Sequence, residues 1–213
     1  MPATSYLTVA RDGSVELEVR RSRFVGTVAR VGDEADARAV VDQLRREHWG
    51  ARHHVHAYVL GPERLLEQAS DDGEPSGTGG PPVLEVVRGR ELSDVVVVVS
   101  RFFGGTLLGT GGLARAYADA ARSVLEEVGV RERVLQDLCE VVVDIAAVGR
   151  LEHDLRSRGA RVLGVEYFDQ ASLRFAIPPV ARPVAEEIVA ELTGGEASLA
   201  VVGQEWVDGG TPT

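Results

Sequence analysis

Apolar and polar residues alternate over residues 6–10, 15–20 and 24–31, with a turn signal at Asp12-Gly13. A period of two predicts antiparallel strands with one face buried. The period then lengthens. Asp33 is placed to cap a helix in which Ala37, Val40, Val41, Leu44 and His48 recur at helical spacing. Residues 55–60 return to strand, and residues 70–80 are polar and glycine-rich, the composition of a loop. Pro81 and Pro82 suit the first turn of a short helix running to Arg88, with Gly89 as its left-handed stop.

Residues 95–100 form a β-branched run without alternation, the pattern of a central strand covered on both faces. The longest helix is predicted over residues 113–128, where Leu113, Ala116, Tyr117, Ala120, Ala121, Val124 and Val128 share a face and Gly129 ends it. From Val134 the pattern changes. Strands are predicted at 141–145, 160–167, 172–177 and 197–206, with helices at 150–157 and 184–192. The order βαββαβ is the split βαβ of a ferredoxin-like domain, in which two helices cover one face of a four-stranded antiparallel sheet. The end, 208–213, is rich in Gly, Pro and Thr and is expected to be disordered. The chain therefore reads as an α+β protein of two domains, 1–134 and 135–207.

Charge changes this picture more than overall composition does. The net charge is -10 and the pI about 5.0, which excludes a protein that coats nucleic acid by bulk electrostatics. The acidity is uneven: residues 1–136 hold 17 basic and 20 acidic side chains, against 6 and 13 in residues 137–213. All 23 basic residues are arginine, whose planar fork of donors suits phosphate, although a GC-rich genome yields the same bias. Cys139 is the only cysteine, so neither an intrachain disulfide nor a thiolate cluster can form. The N-terminus lacks an export pattern and the apolar run 95–99 is too short to span a bilayer, so a cytoplasmic protein without membrane contact is expected.

Four stretches can carry chemistry. In residues 70–80, Ser76, Thr78 and Gly79 lead into a helix start, where backbone N–H groups would favour a phosphate. Asp71, Asp72 and Glu74 in the same loop would repel one unless a cation lay between. A tight turn with a helix cap accounts for the same residues. In residues 101–113, Arg101, Gly104, Gly105, Gly109, Gly111 and Gly112 run from the end of the central strand into the long helix, with Arg115 beyond. Ligands bind past the carboxyl ends of strands in α/β sheets, so Arg101 and Arg115 could flank a phosphate. Glycines needed only for a sharp turn under Phe102 and Phe103 would look the same.

The third stretch is Arg52-His53-His54-Val55-His56. On a strand His54 and His56 share one face and His53 points to the other, so a metal would need Asp71, Asp72 or Glu74 as well. Histidines with a purely structural role are the plainer explanation. The fourth is Arg20-Arg21-Ser22-Arg23-Phe24, where Arg21 and Arg23 would contact phosphate and Phe24 would stack on a base. A solvated strand end explains it equally. No nucleophile elbow, zinc-finger spacing or Walker loop occurs.

Together, Arg-Arg-Ser-Arg-Phe, Ala-Arg-His-His, Ser-Asp-Asp-Gly-Glu-Pro-Ser-Gly-Thr, Arg-Phe-Phe-Gly-Gly and Leu-Gly-Thr-Gly-Gly-Leu resemble the signatures of the YigZ/IMPACT family over residues 15–130. The resemblance implies a first domain folded like domain 2 of ribosomal protein five of the small subunit, a mixed sheet with helices. It implies a second, ferredoxin-like domain similar to one in elongation factor G. It also implies binding to nucleic acid or to the translation machinery, with regulation of translation and no required cofactor.

Three functions follow as expectations. The first is a binder of RNA or a ribosomal component that uses Arg21, Arg23, Arg52, Arg101 and Arg115. The second is an enzyme acting on a small phosphorylated molecule or nucleotide, with phosphate at Gly109–Gly112 and Mg²⁺ at Asp71, Asp72 or Glu74. The third is a protein-interaction module whose loops dock a protein partner.

Overall fold

The computed structural model describes residues 3–209, and the chain divides into two compact units, one running to Glu132 and one over Arg133–Gly209. The first unit contains β1 (Ser5–Val9), β2 (Gly13–Val19), β3 (Ser22–Arg30), α1 (Glu34–Glu47), β4 (His53–Leu60), β5 (Leu66–Ser70), α2 (Gly80–Gly89), β6 (Val95–Phe102) and α3 (Thr110–Val128). Its sheet has the order β2-β3-β6-β4-β5, and every pairing is antiparallel. The sheet is thus antiparallel throughout, not mixed. The short β1 lies outside this sheet, with Ser93 N–H donating to the carbonyl of Leu7 at its middle and Ala10 N–H, just past its end, to that of Gly129.

Strand parity explains the valine run. Val95, Val97 and Val99 face α2 and α3 in one core, with Phe24, Val28, Val55, Leu113, Tyr117 and Val124. Val96 and Val98 face α1 in the other, with Ala37, Val41, Leu44 and Tyr58. Both faces of β6 are dry, so alternation is lost from the sequence while the pleat keeps it in space. Each fully buried valine contributes about 1.5–3 kcal/mol relative to an exposed one.

Helix starts follow their caps. The Asp33 carboxylate accepts from Asp36 N–H at 2.9 Å and opens α1. Pro81 and Pro82 lie in the first turn of α2. Gly89, expected as a left-handed stop, is instead the last helical residue, and Glu91 takes the positive φ of 56°. The helix α3 starts at Thr110, three residues before the predicted apolar face begins.

The second unit comprises most of β7 (Val130–Val143), then α4 (Ile145–Ser157), β8 (Arg161–Tyr167), β9 (Ala171–Ile177), α5 (Arg182–Thr193) and β10 (Ala200–Asp208). Its strands pair antiparallel in the order β10-β7-β9-β8. Cys139, Val141, Leu173, Phe175 and Ile177 point at Val148, Leu151, Leu155, Ala185 and Val189 of the two helices. Ile145, expected to end a strand, begins α4 after Asp144. Asp208, expected in a disordered tail, closes β10 opposite Arg133, and residues 210–213 lie outside the described residues.

Candidate functional site

The acidic loop closes on itself. The Asp71 carboxylate accepts from Gly77 N–H (2.8 Å), Gly79 N–H (2.8 Å) and Gly80 N–H (2.9 Å), so it occupies the start of α2. Burial opposes ionisation of Asp71, but these three donors outweigh it and hold the carboxyl below its ordinary range. The Thr78 hydroxyl donates to the Pro75 carbonyl at 2.6 Å, and Ser76 stands exposed. A Cβ at Gly80 would lie 2.7 Å from the Ser70 backbone nitrogen, so the glycine is there for close packing. Ser76, Thr78 and Gly79 therefore do not form an open phosphate site. The chain's own carboxylate already sits on the donors.

The five residues considered for a metal do not converge. Asp72 accepts from His54 N–H at 2.6 Å and pairs with Arg45 at 2.8 Å; burial opposes its ionisation, and these partners more than offset it. His54 Nδ1 lies 2.9 Å from Ser100 Oγ, and burial pulls its imidazole below the usual range, so the ring is neutral. His56 Nδ1 lies 3.0 Å from the His54 carbonyl oxygen. Glu74 is buried and paired with Arg101 instead. Among the described residues no group of three or more His, Cys, Asp or Glu is arranged to hold a metal ion.

Glu74 instead belongs to a buried network that parity alone would not reveal. It accepts from Arg101 Nη1 and from the Tyr117 hydroxyl on α3, each at 2.7 Å. Burial, reinforced by the bond to Glu74, pushes the Tyr117 phenol far up, so it stays a donor. His53 completes the group, with Nε2 3.9 Å from the same carboxylate oxygen and Nδ1 2.9 Å from the Asp72 carbonyl, which fixes the proton on Nδ1 in the neutral ring. Arg101 is only 6% exposed, and its Nε has no hydrogen-bond partner among the described residues.

These groups line one end of a cleft of about 340 Å³, where Arg52, His53, Glu74 and Arg101 meet Phe103, Leu107, Leu108 and the Gly109–Thr110 start of α3. The Phe103 ring has the Arg52 guanidinium 5.4 Å from its centroid and that of Arg101 at 5.6 Å. Gly109 has φ 72° and caps α3 without a side chain. The first turn of α3, Thr110, Gly111 and Gly112, thus lacks the carboxylate plug that α2 carries. Here the predicted Arg52 and Arg101 meet the predicted glycine turn at Gly109.

Other predicted residues fall around the cleft. Gly104 packs beneath the turn before β3, where a Cβ would lie 1.8 Å from the Arg21 carbonyl oxygen; Gly105, with φ 85°, turns the chain away. Arg20 (φ 47°) and Arg21 (φ 69°) are the two-residue hairpin turn itself, and Arg21 is exposed. Arg23 does not reach the cleft. It pairs with Glu16 at 3.1 Å and stacks 3.9 Å over Phe102 on the α1 face of the sheet. Phe24 is fully buried, edge-on to Tyr117, and cannot stack on a base. Arg115 is exposed on α3 outside the cleft lining.

A second hollow, of about 420 Å³, lies between α1 and β2–β3, lined by Asp12, Gln43, Glu47 and His48 among others. It contains no arginine and does not suit an anion.

Residues 20–125 match the sequence model of the Impact N-terminal domain. The chain is 35% identical over 195 residues to the IMPACT family member YvyE of Bacillus subtilis (strain 168), covering 92% of this chain and 90% of that one. The chain belongs to the IMPACT family. The IMPACT family member YigZ of Escherichia coli (strain K12) is 32% identical over 176 residues, 82% of this chain and 86% of its own. A crystal structure of a hypothetical protein aligns with a TM-score of 0.67 and 30% identity, over 94% of this chain and 98% of that one. Every cleft residue lies within the stretch matched by the Impact N-terminal domain, whereas the second unit lies outside it. Among the described residues no helix is long and apolar enough to cross a membrane.

Sequence reasoning missed His53, Tyr117, Phe103 and Leu107 as parts of the site. His53 had a usable signal, since it lies on the opposite strand face from His54 and His56. Tyr117 had none, because its helical spacing reads only as core.

Proposed function

We propose that this IMPACT-family chain binds RNA through its first unit and acts on translation by doing so. A phosphate sits between Arg52, Arg101 and the open N-terminus of α3, with the neighbouring base or ribose against Phe103 and Leu107. The observation that carries this reading is the convergence of Arg52 and Arg101 on the start of α3, which has no side-chain cap, while the α2 start is already filled by Asp71. Uncompensated donors in a partly apolar cleft are the setting in which a phosphate with its attached ring is recognised.

The strand order β10-β7-β9-β8 with α4 and α5 on one face supports a ferredoxin-like second unit, an arrangement compatible with RNA binding that does not by itself establish it. Phosphoryl transfer at this cleft draws no support from Asp71 and Asp72, because both carboxylates are taken up by backbone and Arg45 donors.

Fluorescence anisotropy with a labelled RNA at several salt concentrations tests the proposal. Arg52→Ala, an exposed change, is expected to weaken binding about 10-fold and to reduce the slope of log K against log salt by about 0.7 for a single strand. Unaltered affinity and slope would count against the cleft. Retention of a protein partner after nuclease treatment, with no RNA affinity, would favour the interaction module.

A further inference from the structure

Trp49 is a large apolar residue of the first unit that neither core accounts for. It is 84% exposed, and it follows directly on α1, whose apolar residues Ala37, Val41 and Leu44 are all buried. Its two neighbours are both pinned to one ring. His48 packs edge-on against Phe102 with centroids 5.9 Å apart, and the Cβ direction of Gly50 meets the same ring at 3.6 Å. Its flanking residues thus lie beside Phe102 while its indole stands in water. Nothing in the packing of this unit requires an indole there.

Arginines stand at the strand ends that follow Trp49 across the sheet. Arg52 lies three residues on at the start of β4, next to β6 in the sheet, and beyond β6 and β3 the hairpin turn presents Arg20 and Arg21. Arg20 and Arg21 are exposed and form no ion pair among the described residues, and Arg52 is exposed with only the Phe103 ring as partner. Adjacent strands lie about 4.8 Å apart, so Arg52 and the hairpin turn stand at the same end of the sheet, with the ends of β6 and β3 between them. Two left-handed non-glycine residues in succession cost roughly 1–3 kcal/mol each, and such strain collects where the side chains are used.

We infer that the RNA taken by this unit is single-stranded, and that Trp49 is a stacking platform for a base outside the cleft. This rests on the RNA reading given above and narrows it. A paired base is already stacked and offers no face to an indole, and the deep, narrow major groove of an A-form duplex excludes such a side chain. The cleft points the same way: about 340 Å³ walled by Phe103, Leu107 and Leu108 accepts one splayed nucleotide and no base pair. Indole stacking with arginines along the backbone is the usual chemistry of single-strand recognition.

The full chain is titrated with one labelled oligonucleotide as a single strand and as its duplex, in the wild type, Trp49→Ala, Trp49→Phe and Arg52→Ala. Single-strand affinity is expected to exceed duplex affinity. Trp49→Ala should weaken single-strand binding by about 5- to 100-fold with an unchanged salt slope, because no charge is removed. The single strand should quench tryptophan emission in the wild type, and Trp49→Phe should abolish that quench while keeping most of the affinity. Equal binding of duplex, or a Trp49→Ala protein that binds as well as wild type while Arg52→Ala still weakens binding, overturns the stacking inference and leaves the RNA reading standing. No RNA binding by the wild type overturns both. A nuclease-resistant protein partner released by Trp49→Ala overturns it in favour of protein docking.

Discussion

Gly111→Asp separates the anion site from the stability of the fold. Gly111 is the second residue of α3, and a Cβ there meets nothing within 4 Å, so the substitution has room. Glycine is about 1 kcal/mol worse than alanine inside a helix and aspartate is intermediate, which gives a gain of a few tenths. A carboxylate in the first turn adds roughly 0.3–1 kcal/mol through the helix dipole. The variant should therefore be about 0.5–1.5 kcal/mol more stable, seen as a rise of about 1–6 °C in Tm. It should bind RNA at least about 10-fold more weakly, because the new carboxylate takes the place of the phosphate on the same N–H groups. Gly111→Ala is the matched control, with a comparable stability gain and retained affinity. Thermal melts by circular dichroism and anisotropy titrations read both quantities on the same samples. A Gly111→Asp protein that is more stable and binds like the wild type would show that the start of α3 holds no anion.

Four further outcomes follow from the same geometry. Glu74→Ala leaves Arg101 buried without its partner and should cost about 3–5 kcal/mol by urea unfolding, with part of the loss recovered when Arg101→Leu is added. The Asp71 and Asp72 carboxyls are held below their ordinary range in the folded state, so their stabilisation is complete above about pH 3.9 and is lost as the pH falls below it. Asp71→Ala should accordingly cost about 2 kcal/mol at pH 7 and clearly less at pH 3, and an equal cost at both would refute the capping role. Arg20→Asn combined with Arg21→Gly supplies the residues a two-residue turn with positive φ favours; it should raise stability by about 1–2 kcal/mol while weakening RNA binding. Burial, with the nearby Asp137 charge, pushes the Cys139 thiol up to about 11, so a thiol reagent should label the protein only after denaturation.

Periodicity by itself determined most of the elements of this protein. The five strands of the first half that have a clear apolar pattern, the Asp33 cap, the Pro81-Pro82 helix start and the βαββαβ order are all written in residue types a few positions apart along the chain. The elements that escaped are those whose sequence carries no local signal. Leu66–Ser70 is an edge strand held only by β4 and has no β-branched residue, and the first half of β7 is half-buried and rich in charge. Which of two glycine-lined helix starts stays open was a matter for tertiary structure alone. It depends on the Asp71 carboxylate folding back six to nine residues to plug α2, and the meeting of Glu74 with Arg101 27 positions away and the exposure of Trp49 were likewise decided only in space. Hydrogen bonding and burial are settled by distance in space, and the sequence records distance only along the chain.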